Sequence, residues 1–342
     1  KQFFLVILIS IPSAIIAEFF NIPLAWFLGP MLVTSLASLM GLKIKMPRLV
    51  LSSILILLGL YIGNYIDKSL FAQMHQWAWT SLIMLIYIIL SVLIVSKYLQ
   101  TFSKYDKKTS IFSAAPGALG PLMILAEDEK SDLSQVATSH LIRLIIIISV
   151  FPFIVDSFYD VEGIKIAEEI LEDQNFTHLV ILIISSIIFI YFFDKFKIPA
   201  ALLSGTLFAS GFLQISEIAT YQFSPNIIDY CLLVLGASVG CRFANKTFSE
   251  IGRNALHSFV ATFLLIVLGL IAAFIASLVI DKNFFTLLLS YCPGGIYEVA
   301  VIAIFFDLDP EFVSFHHIIR LLMILFIVPV MMKIVVKKPN IS

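Results

Sequence analysis

Charge is what this sequence has least of. Only 13% of its 342 residues are charged, whereas 60% are hydrophobic. The net charge of −1 says little about partners, because the positions of Lys and Arg matter more in a membrane protein than their sum. No soluble domain of useful size fits between the apolar stretches, and no helix-turn-helix segment is visible. We therefore expect a lipid bilayer as partner and no nucleic acid.

Metal-ligating residues are also scarce. The three cysteines lie within or at the ends of apolar stretches without metal-type spacing, so they predict buried thiols and no disulfide framework. The six histidines show no ligand spacing apart from one adjacent pair, and no acidic cluster completes a metal site. These absences disfavour a copper or iron oxygenase. We expect no metal, no cofactor and no enzymatic activity.

Long apolar segments dominate the chain. About twenty helical residues are enough to cross a hydrocarbon core of roughly 30 Å, and segments near this length recur from end to end. The sequence therefore predicts an all-α polytopic membrane protein. The predicted segments are 3–20, 24–41, 49–66, 77–97, 109–127 (interrupted), 134–155, 177–194, 198–214, 226–244, 255–280, 284–306 (interrupted) and 311–335.

The two halves of the chain are copies of each other. Gly, Pro, His and Arg residues recur at an almost constant offset, which apolar composition alone does not produce, so we infer an internal duplication. The offset is 176 for Ile22, Pro23 and Gly29, which match Ile198, Pro199 and Gly205. It is 177 for Gly59, Gly63, Ser113, Pro116, Gly117, His140 and Arg143, which match Gly236, Gly240, Ser290, Pro293, Gly294, His317 and Arg320.

The basic residues favour an inverted arrangement of the copies. If each interrupted segment enters and leaves on one side, each half crosses five times, and 17 of the 22 basic residues lie in the cytoplasm. An odd number of crossings turns the second copy upside down. We predict membrane repeat 1 over 1–156, an acidic extracytoplasmic linker over 157–175, and inverted membrane repeat 2 over 176–338. Both termini are then cytoplasmic.

Each half contains a Pro-Gly interruption inside an apolar segment. Pro116-Gly117 is the first break and Pro293-Gly294-Gly295 is the second break. Proline lacks the amide hydrogen, and glycine adopts backbone angles that other residues avoid. Unwound backbone in hydrocarbon requires burial or water, and paired interruptions in two halves indicate a transporter site. A packing kink is the alternative, and both a re-entrant hairpin and an unwound crossing helix stay open.

Arg143 and Arg320 lie several residues inside the last segment of each half. An arginine at mid-membrane costs about 2.5–3.5 kcal/mol on insertion scales, so it usually faces a partner or a water-filled cavity. His140 and His317 precede them by three residues and share their helix faces. These faces are suited to binding a carboxylate or relaying protons. The alternative is that both arginine side chains snorkel to the interface.

Glu298 is the one carboxylate well inside an interrupted segment. It follows the second break closely, so it is placed to cap the restarted helix, to accept a proton, or to pair with Arg143 or Arg320. Its counterpart in the first half is Pro121. The two breaks are therefore not chemically equivalent, which favours a specific role for Glu298 in ion coupling.

These motifs resemble those of the AbrB family of bacterial membrane proteins. The resemblance rests on the duplicated Ile-Pro turns, the Ala/Cys-Pro-Gly breaks and the His-x-x-Arg helices, and it covers nearly the whole chain. It implies a duplicated protein of the bacterial cytoplasmic membrane. Members are also described as an ammonia monooxygenase or as regulators of gene expression. The second break matches the family's Pro-Gly-Gly-x-x-Glu, whereas the first departs from it at Ala118 and Pro121.

Two hypotheses follow from these features. The first is a secondary transporter or exporter of a small, anionic organic solute, with alternating access around the breaks. The second is a membrane sensor that regulates gene expression indirectly, and a homo-oligomer is compatible with either. The candidate substrate-binding residues are Ser113, Pro116, Gly117, Ser290, Pro293, Gly294, Gly295, Arg143 and Arg320, and the candidate ion-coupling residues are Glu298, His140 and His317.

Overall fold

A computed structural model describes residues 2–66, 68–158, 176–219, 221, 223–224, 226–244 and 246–336. Within these ranges the chain forms α-helices and no strands. The helices are α1 (Gln2–Phe19), α2 (Ala25–Leu39), α3 (Arg48–Gly63), α4 (Lys68–Phe102), α5 (Lys107–Ala114), α6 (Leu119–Asp128), α7 (Leu133–Phe158), α8 (Phe176–Lys195), α9 (Ala201–Ile215), α10 (Asn226–Cys241), α11 (Phe248–Ser277), α12 (Phe284–Tyr291), α13 (Ile296–Phe305) and α14 (Pro310–Val336).

The predicted helical class is confirmed, and the apolar helices indicate a multi-pass membrane protein. Six described helices are long and apolar enough to cross a bilayer: α1, α4 from Trp77, α7, α8, α11 from Ala255, and α14 to Val335. Many large apolar side chains on α8 are exposed, as expected for a helix that contacts lipid. The predicted linker over 157–175 lies almost wholly outside the described residues. Its first two positions belong to the end of α7.

The helices cluster into two compact units, and each unit takes segments from both halves of the chain. Unit 1 contains Lys1–His75, Ser149–Thr247 and Tyr297–Val313, and unit 2 contains Gln76–Ile148, Phe248–Ile296 and Ser314–Ser342. The repeats predicted over 1–156 and 176–338 are defined by sequence, and each compact unit combines segments from both of them. The physical reason is that helices of one half pack on helices of the other.

Reciprocal helix packing organises unit 1. Helix α2 packs on α10 and α3 packs on α9, while α1 packs on α2 and α8 packs on α9. By the offset found in the sequence, α9 is the counterpart of α2 and α10 is the counterpart of α3. The contact between α2 and α10 is therefore repeated by the contact between their counterparts, α9 and α3.

Glycines allow these helices to approach closely. A Cβ atom on Gly236 of α10 would lie 2.2 Å from the Phe27 carbonyl oxygen, and one on Gly59 of α3 would lie 2.4 Å from the Leu203 carbonyl oxygen. Such small residues bring helix backbones together in membranes. The equivalent contacts show that these glycines serve close helix packing.

Equivalent side-chain hydrogen bonds join the same helix pairs. Thr34 donates to the Ala237 carbonyl oxygen at 3.3 Å, and Ser210, the counterpart of Thr34, donates to the Leu60 carbonyl oxygen at 3.0 Å. Ser38 adds a bond to the Gly240 carbonyl oxygen at 3.0 Å. Unit 1 is therefore held by polar contacts between helices in addition to apolar packing.

Replacing Gly236 by alanine should destabilise the protein. The new methyl group would collide with backbone of α2, and overpacking of this kind typically costs about 1–3 kcal/mol. Gly252→Ala is the matched control, because this glycine is also helical but nothing lies within 4 Å of its Cβ position; there alanine should stabilise by up to about 1 kcal/mol. Thermal unfolding in detergent measures both, and equal melting temperatures would contradict the packing.

Candidate functional site

The first break separates α5 from α6. Helix α5 ends at Ala114, and Ala115 adopts extended backbone angles of φ −62° and ψ 130°. Gly117 has φ +114° and Ala118 has φ +61°. Pro116 supplies no amide hydrogen to a continuing helix, and the left-handed φ of Gly117 is readily adopted only by glycine. The chain therefore stops being helical for four residues before α6 begins at Leu119.

Helices α5 and α6 form a hairpin. Lys108, at the start of α5, donates from Nζ to the Glu129 carbonyl oxygen at 2.8 Å and pairs with its carboxylate at 3.0 Å, just beyond the end of α6. The Thr109 hydroxyl accepts a hydrogen bond from the Asp132 amide at 3.0 Å. Asp106 caps the first turn of α5. The start of α5 and the end of α6 therefore lie close together, and the first break lies at the turn between the two helices.

The second break repeats the first in its backbone. Helix α12 ends at Tyr291, and Cys292 adopts φ −58° and ψ 130°, almost the angles of its counterpart Ala115. Helix α13 begins at Ile296, after Pro293, Gly294 and Gly295. Helix α12 belongs to unit 2, whereas all of α13 beyond Ile296 belongs to unit 1. The chain therefore passes from unit 2 to unit 1 at the second break, which is one of five such passages along the sequence.

Arg143 binds the end of α5. Its Nη1 and Nη2 atoms donate to the carbonyl oxygens of Ala115 and Ser113, each at 2.5 Å. The last carbonyls of a helix have no partner within the helix and carry the negative end of its dipole. The Arg143 side chain is only 2% exposed, so the alternative in which it snorkels to the interface is wrong.

Arg320 binds the end of α12 and also reaches the first break. Its Nη1 atom donates to the Cys292 carbonyl oxygen, and its Nη2 atom donates to the Gly294 carbonyl oxygen at 2.6 Å. A Cβ atom on Gly117 would lie 2.9 Å from Nη2. Arg320 is fully buried, so snorkelling is wrong here too. One guanidinium group therefore contacts both breaks within unit 2.

The two histidines bind backbone carbonyl groups at equivalent positions of α5 and α12. His140 Nε2 lies 3.0 Å from the Phe112 carbonyl oxygen, and His317 Nε2 lies 3.0 Å from the Leu289 carbonyl oxygen. Because a carbonyl only accepts, both rings carry their hydrogen on Nε2. His317 Nδ1 lies 3.1 Å from Arg320 Nη2, which only donates, so His317 is neutral in this arrangement. Protonation of His317 would remove that bond.

The remaining candidate residues differ in what they contribute to the two breaks. Ser113 Oγ is buried and has no hydrogen-bond partner among the described residues. Ser290 Oγ instead donates to the Thr286 carbonyl oxygen of its own helix at 2.8 Å. Pro116, Pro293 and Gly295 belong to the breaks themselves and contribute backbone shape.

Glu298 has a different ion-pair partner from those predicted. Its Oε1 atom lies 3.1 Å from Nη2 of Arg242, within unit 1. The predicted pairing with Arg143 or Arg320 is therefore wrong. Glu298 is 1% exposed, whereas the Arg242 side chain is 32% exposed. A buried carboxylate is thus joined to a cation that water reaches. No local pattern predicts this pair, because the two residues are 56 positions apart.

The buried charges of unit 2 are not balanced by carboxylates. Arg143 and Arg320 are both buried, and none of the seven Asp and Glu residues of unit 2, all of which the structure describes, is buried. The Nε atoms of both arginines have no hydrogen-bond partner among the described residues. Helix ends carry about half a negative charge each, so α5 and α12 offset about one of the two positive charges.

Sequence reasoning missed a polar cluster beside these arginines. The Tyr291 hydroxyl donates to the Thr80 carbonyl oxygen at 2.7 Å, and the Thr80 hydroxyl lies 2.7 Å from His316 Nε2. The Tyr87 ring packs edge-on against Tyr291 with centroids 6.2 Å apart. A tyrosine at position 87, in the middle of an apolar segment, was the available signal. His316, one of the two adjacent histidines, belongs to this cluster.

Arg143→Met should lower the melting temperature of the protein in detergent. Methionine fills similar space but leaves the Ser113 and Ala115 carbonyl groups without their donor. Each buried unpaired group lowers the free energy of unfolding by about 1–3 kcal/mol. Removing a buried charge recovers part of this cost, so a net loss of a few degrees is expected. Arg48→Met, at an exposed position, is the control and should change little. An unchanged melting temperature for Arg143→Met would contradict the anchoring role.

Comparison with known proteins identifies the family. The family described as "Transition state regulatory protein AbrB" matches residues 3–336. The chain is 24% identical to "Uncharacterized protein YhjN" of Bacillus subtilis (strain 168) over 80% of this chain and 75% of that protein. It is 20% identical to "Putative regulator AbrB" of Escherichia coli (strain K12) over 89% of this chain and 88% of that protein. No solved structure matches the chain at a significant level. The match across nearly its whole length shows that the chain belongs to the AbrB family.

Proposed function

We propose that this protein is a secondary transporter of a small organic anion in the bacterial cytoplasmic membrane. The observation that carries the proposal is the pair of buried guanidinium groups beside two interrupted helices, in a unit without a buried carboxylate. An uncompensated positive charge in a low-dielectric interior is costly, and an anionic ligand lowers that cost. The protein acts as a carrier and not as an enzyme.

The duplicated architecture supports this proposal. In an inverted 5+5 repeat the two copies have equal but opposite relations to the membrane, as in many secondary transporters. The reciprocal pairing of α2 with α10 and of α3 with α9 fits a two-fold relation between the copies. The distribution of basic residues favours inversion, with both termini cytoplasmic.

The length of α5 supports a position of the first break near the middle of the membrane. At 1.5 Å per residue, the eight residues of α5 span about 12 Å, less than half of a hydrocarbon core of roughly 30 Å. The hairpin of α5 and α6 therefore turns around within the membrane if it enters from one surface. Its turn carries the Gly117 that contacts Arg320. Alternating access would open this site to each side of the membrane in turn.

Gly117→Ala should reduce uptake of the transported anion by at least tenfold. Alanine strains the backbone at φ +114° and displaces a guanidinium group that is fixed by two carbonyls and His317. Gly41→Ala is the control, because Gly41 also has positive φ but nothing lies within 4 Å of its Cβ position. Both variants bear the backbone cost, but only Gly117→Ala alters the site.

Uptake is measured in proteoliposomes with radiolabelled organic acids of graded size and charge. Gradient-driven or exchange flux of any of these acids supports the carrier. Absence of flux across the whole set would overturn it, as would equal uptake by the two glycine variants.

Glu298 and Arg242 form the proposed ion-coupling element. A buried carboxylate with a half-exposed partner is able to exchange that partner for a proton or another cation when the site opens. Glu298→Gln should abolish uptake driven by an ion gradient and spare exchange of the anion across the membrane. Glu129→Gln, which removes an exposed ion pair with Lys108, should leave both fluxes intact. Retained gradient-driven uptake in Glu298→Gln would contradict coupling at this residue.

Indirect regulation of gene expression is the second candidate. The observation that favours it is the name of the E. coli relative, "Putative regulator AbrB", together with the family description. The stretch Lys97 to Lys108 is the basic surface suited to a cytoplasmic partner. The structure extends α4 to Phe102, so the loop itself contains only 103–106. A partner captured through this stretch, lost on replacing its lysines, would favour the sensor.

A further inference from the structure

Tyr87 has a buried hydroxyl that takes no part in the hydrogen bonds at the ends of α5 and α12. The residue lies in α4 and is 3% exposed. No described residue makes a well-formed hydrogen bond to its hydroxyl, and the Ser91 hydroxyl, one helical turn along, is positioned for at most a weak one. Buried tyrosine hydroxyls usually find a partner. Leaving one unpaired costs free energy that a ligand recovers on binding.

Tyr87 lies beside the backbone that Arg320 binds. Its ring packs edge-on against Tyr291 with centroids 6.2 Å apart, and Arg320 donates to the carbonyl oxygen of the next residue, Cys292. The same guanidinium group lies against Gly117, two residues after Ala115, whose carbonyl oxygen accepts a hydrogen bond from Arg143. Tyr87, Arg143 and Arg320 therefore form one cluster within unit 2.

Three hydrogen-bond donors in this cluster have no well-formed hydrogen bond to any residue in the described part of the chain. They are the Nε–H groups of Arg143 and Arg320 and the hydroxyl of Tyr87, whereas the Nη atoms of both arginines already bind carbonyls. A carboxylate presents two oxygens with about four lone-pair sites, enough for all three donors. Ala115 and Ala118 are apolar buried neighbours in the first break and suit an organic body.

The charge balance sets the charge of the ligand. The ends of α5 and α12 offset about one of the two guanidinium charges, which leaves about one positive charge for the ligand to neutralise. A monoanion completes the balance. A dianion would leave an unpaired negative charge in a buried site, which is strongly unfavourable.

We propose that Tyr87, Arg143 and Arg320 form a monocarboxylate site in which the Tyr87 hydroxyl is a specificity-determining donor. This inference rests on the proposed carrier function and narrows its substrate class. It also explains a difference between the halves, because the counterpart of Tyr87 is Leu264. The site therefore has one hydroxyl donor on the side of the first half and none at the matching position of the second.

Tyr87→Phe tests the site by removing a single oxygen atom. The full chain in detergent is titrated at constant ionic strength with acetate, butyrate, octanoate and benzoate, and with the dianions succinate and sulfate. At least one monocarboxylate should bind tenfold or more tightly than either dianion. Tyr87→Phe should weaken that binding about ten- to hundredfold, the loss of one hydrogen bond to a charged group.

Two readouts separate ligand binding from a structural role. The melting temperature of unliganded Tyr87→Phe should equal or exceed that of the parent protein, because the substitution removes an unpaired buried hydroxyl. A structural role would lower it. Tyr98→Phe, eleven residues along the same helix with its hydroxyl 3.2 Å from His257 Nδ1, should bind the monocarboxylate within twofold of the parent.

The outcomes distinguish this inference from the carrier proposal. Binding or uptake of dianions equal to that of monocarboxylates, or affinity unchanged by Tyr87→Phe, overturns the monocarboxylate site and leaves the carrier intact. Failure of every anion in the titration and in proteoliposome uptake overturns both. Tight monocarboxylate binding that Tyr87→Phe weakens and Tyr98→Phe does not supports the inference.

Discussion

The end of an interrupted helix inside a membrane protein must find donors for its last carbonyl groups, and the site depends on how this chain supplies them. No water is available in hydrocarbon to satisfy such groups, so side chains have to do it. Arg143 serves α5 and Arg320 serves α12, with His140 and His317 one turn earlier. In each of these four hydrogen bonds, the donor residue follows the residue whose carbonyl oxygen accepts the bond by 28 positions. The duplication therefore preserved a helix end together with the residues that complete it.

Different atoms of each arginine have different surroundings. The Nη atoms hold the chain in its broken conformation, and the Nε atoms have no hydrogen-bond partner among the described residues. Holding the chain also fixes the guanidinium planes, so in the proposed carrier the Nε donors would be preorganised for a ligand. The helix ends meet only part of the cost of burying two positive charges, which is the reason for proposing an anion. In that proposal the same side chains serve the structure and the recognition of the ligand.

The sequence predicted those parts of the site whose residues are unusual in an apolar segment. Pro116, Gly117, Arg143 and their counterparts are conspicuous there because each is costly in a continuous membrane helix. It did not predict the partner of Glu298, because Arg242 lies near a helix end, where basic residues are ordinary. It also missed Tyr87, since a tyrosine in an apolar segment reads as a packing residue. The interleaved units arise from packing between the halves, which no local pattern records.

Differences between the copies are as informative as their likeness. Two identical inverted copies would make the inward-facing and outward-facing states equivalent, so nothing in the protein would distinguish the two directions. This chain replaces the acidic position of one half by Pro121 and keeps Glu298 in the other, and it sets Tyr87 against Leu264. The carbonyl oxygen bound by Nη2 differs as well, since it belongs to Ser113 for Arg143 and to Gly294 for Arg320. The shared residues therefore build the two helix ends, and the residues that differ are those that would distinguish the two directions of the proposed carrier.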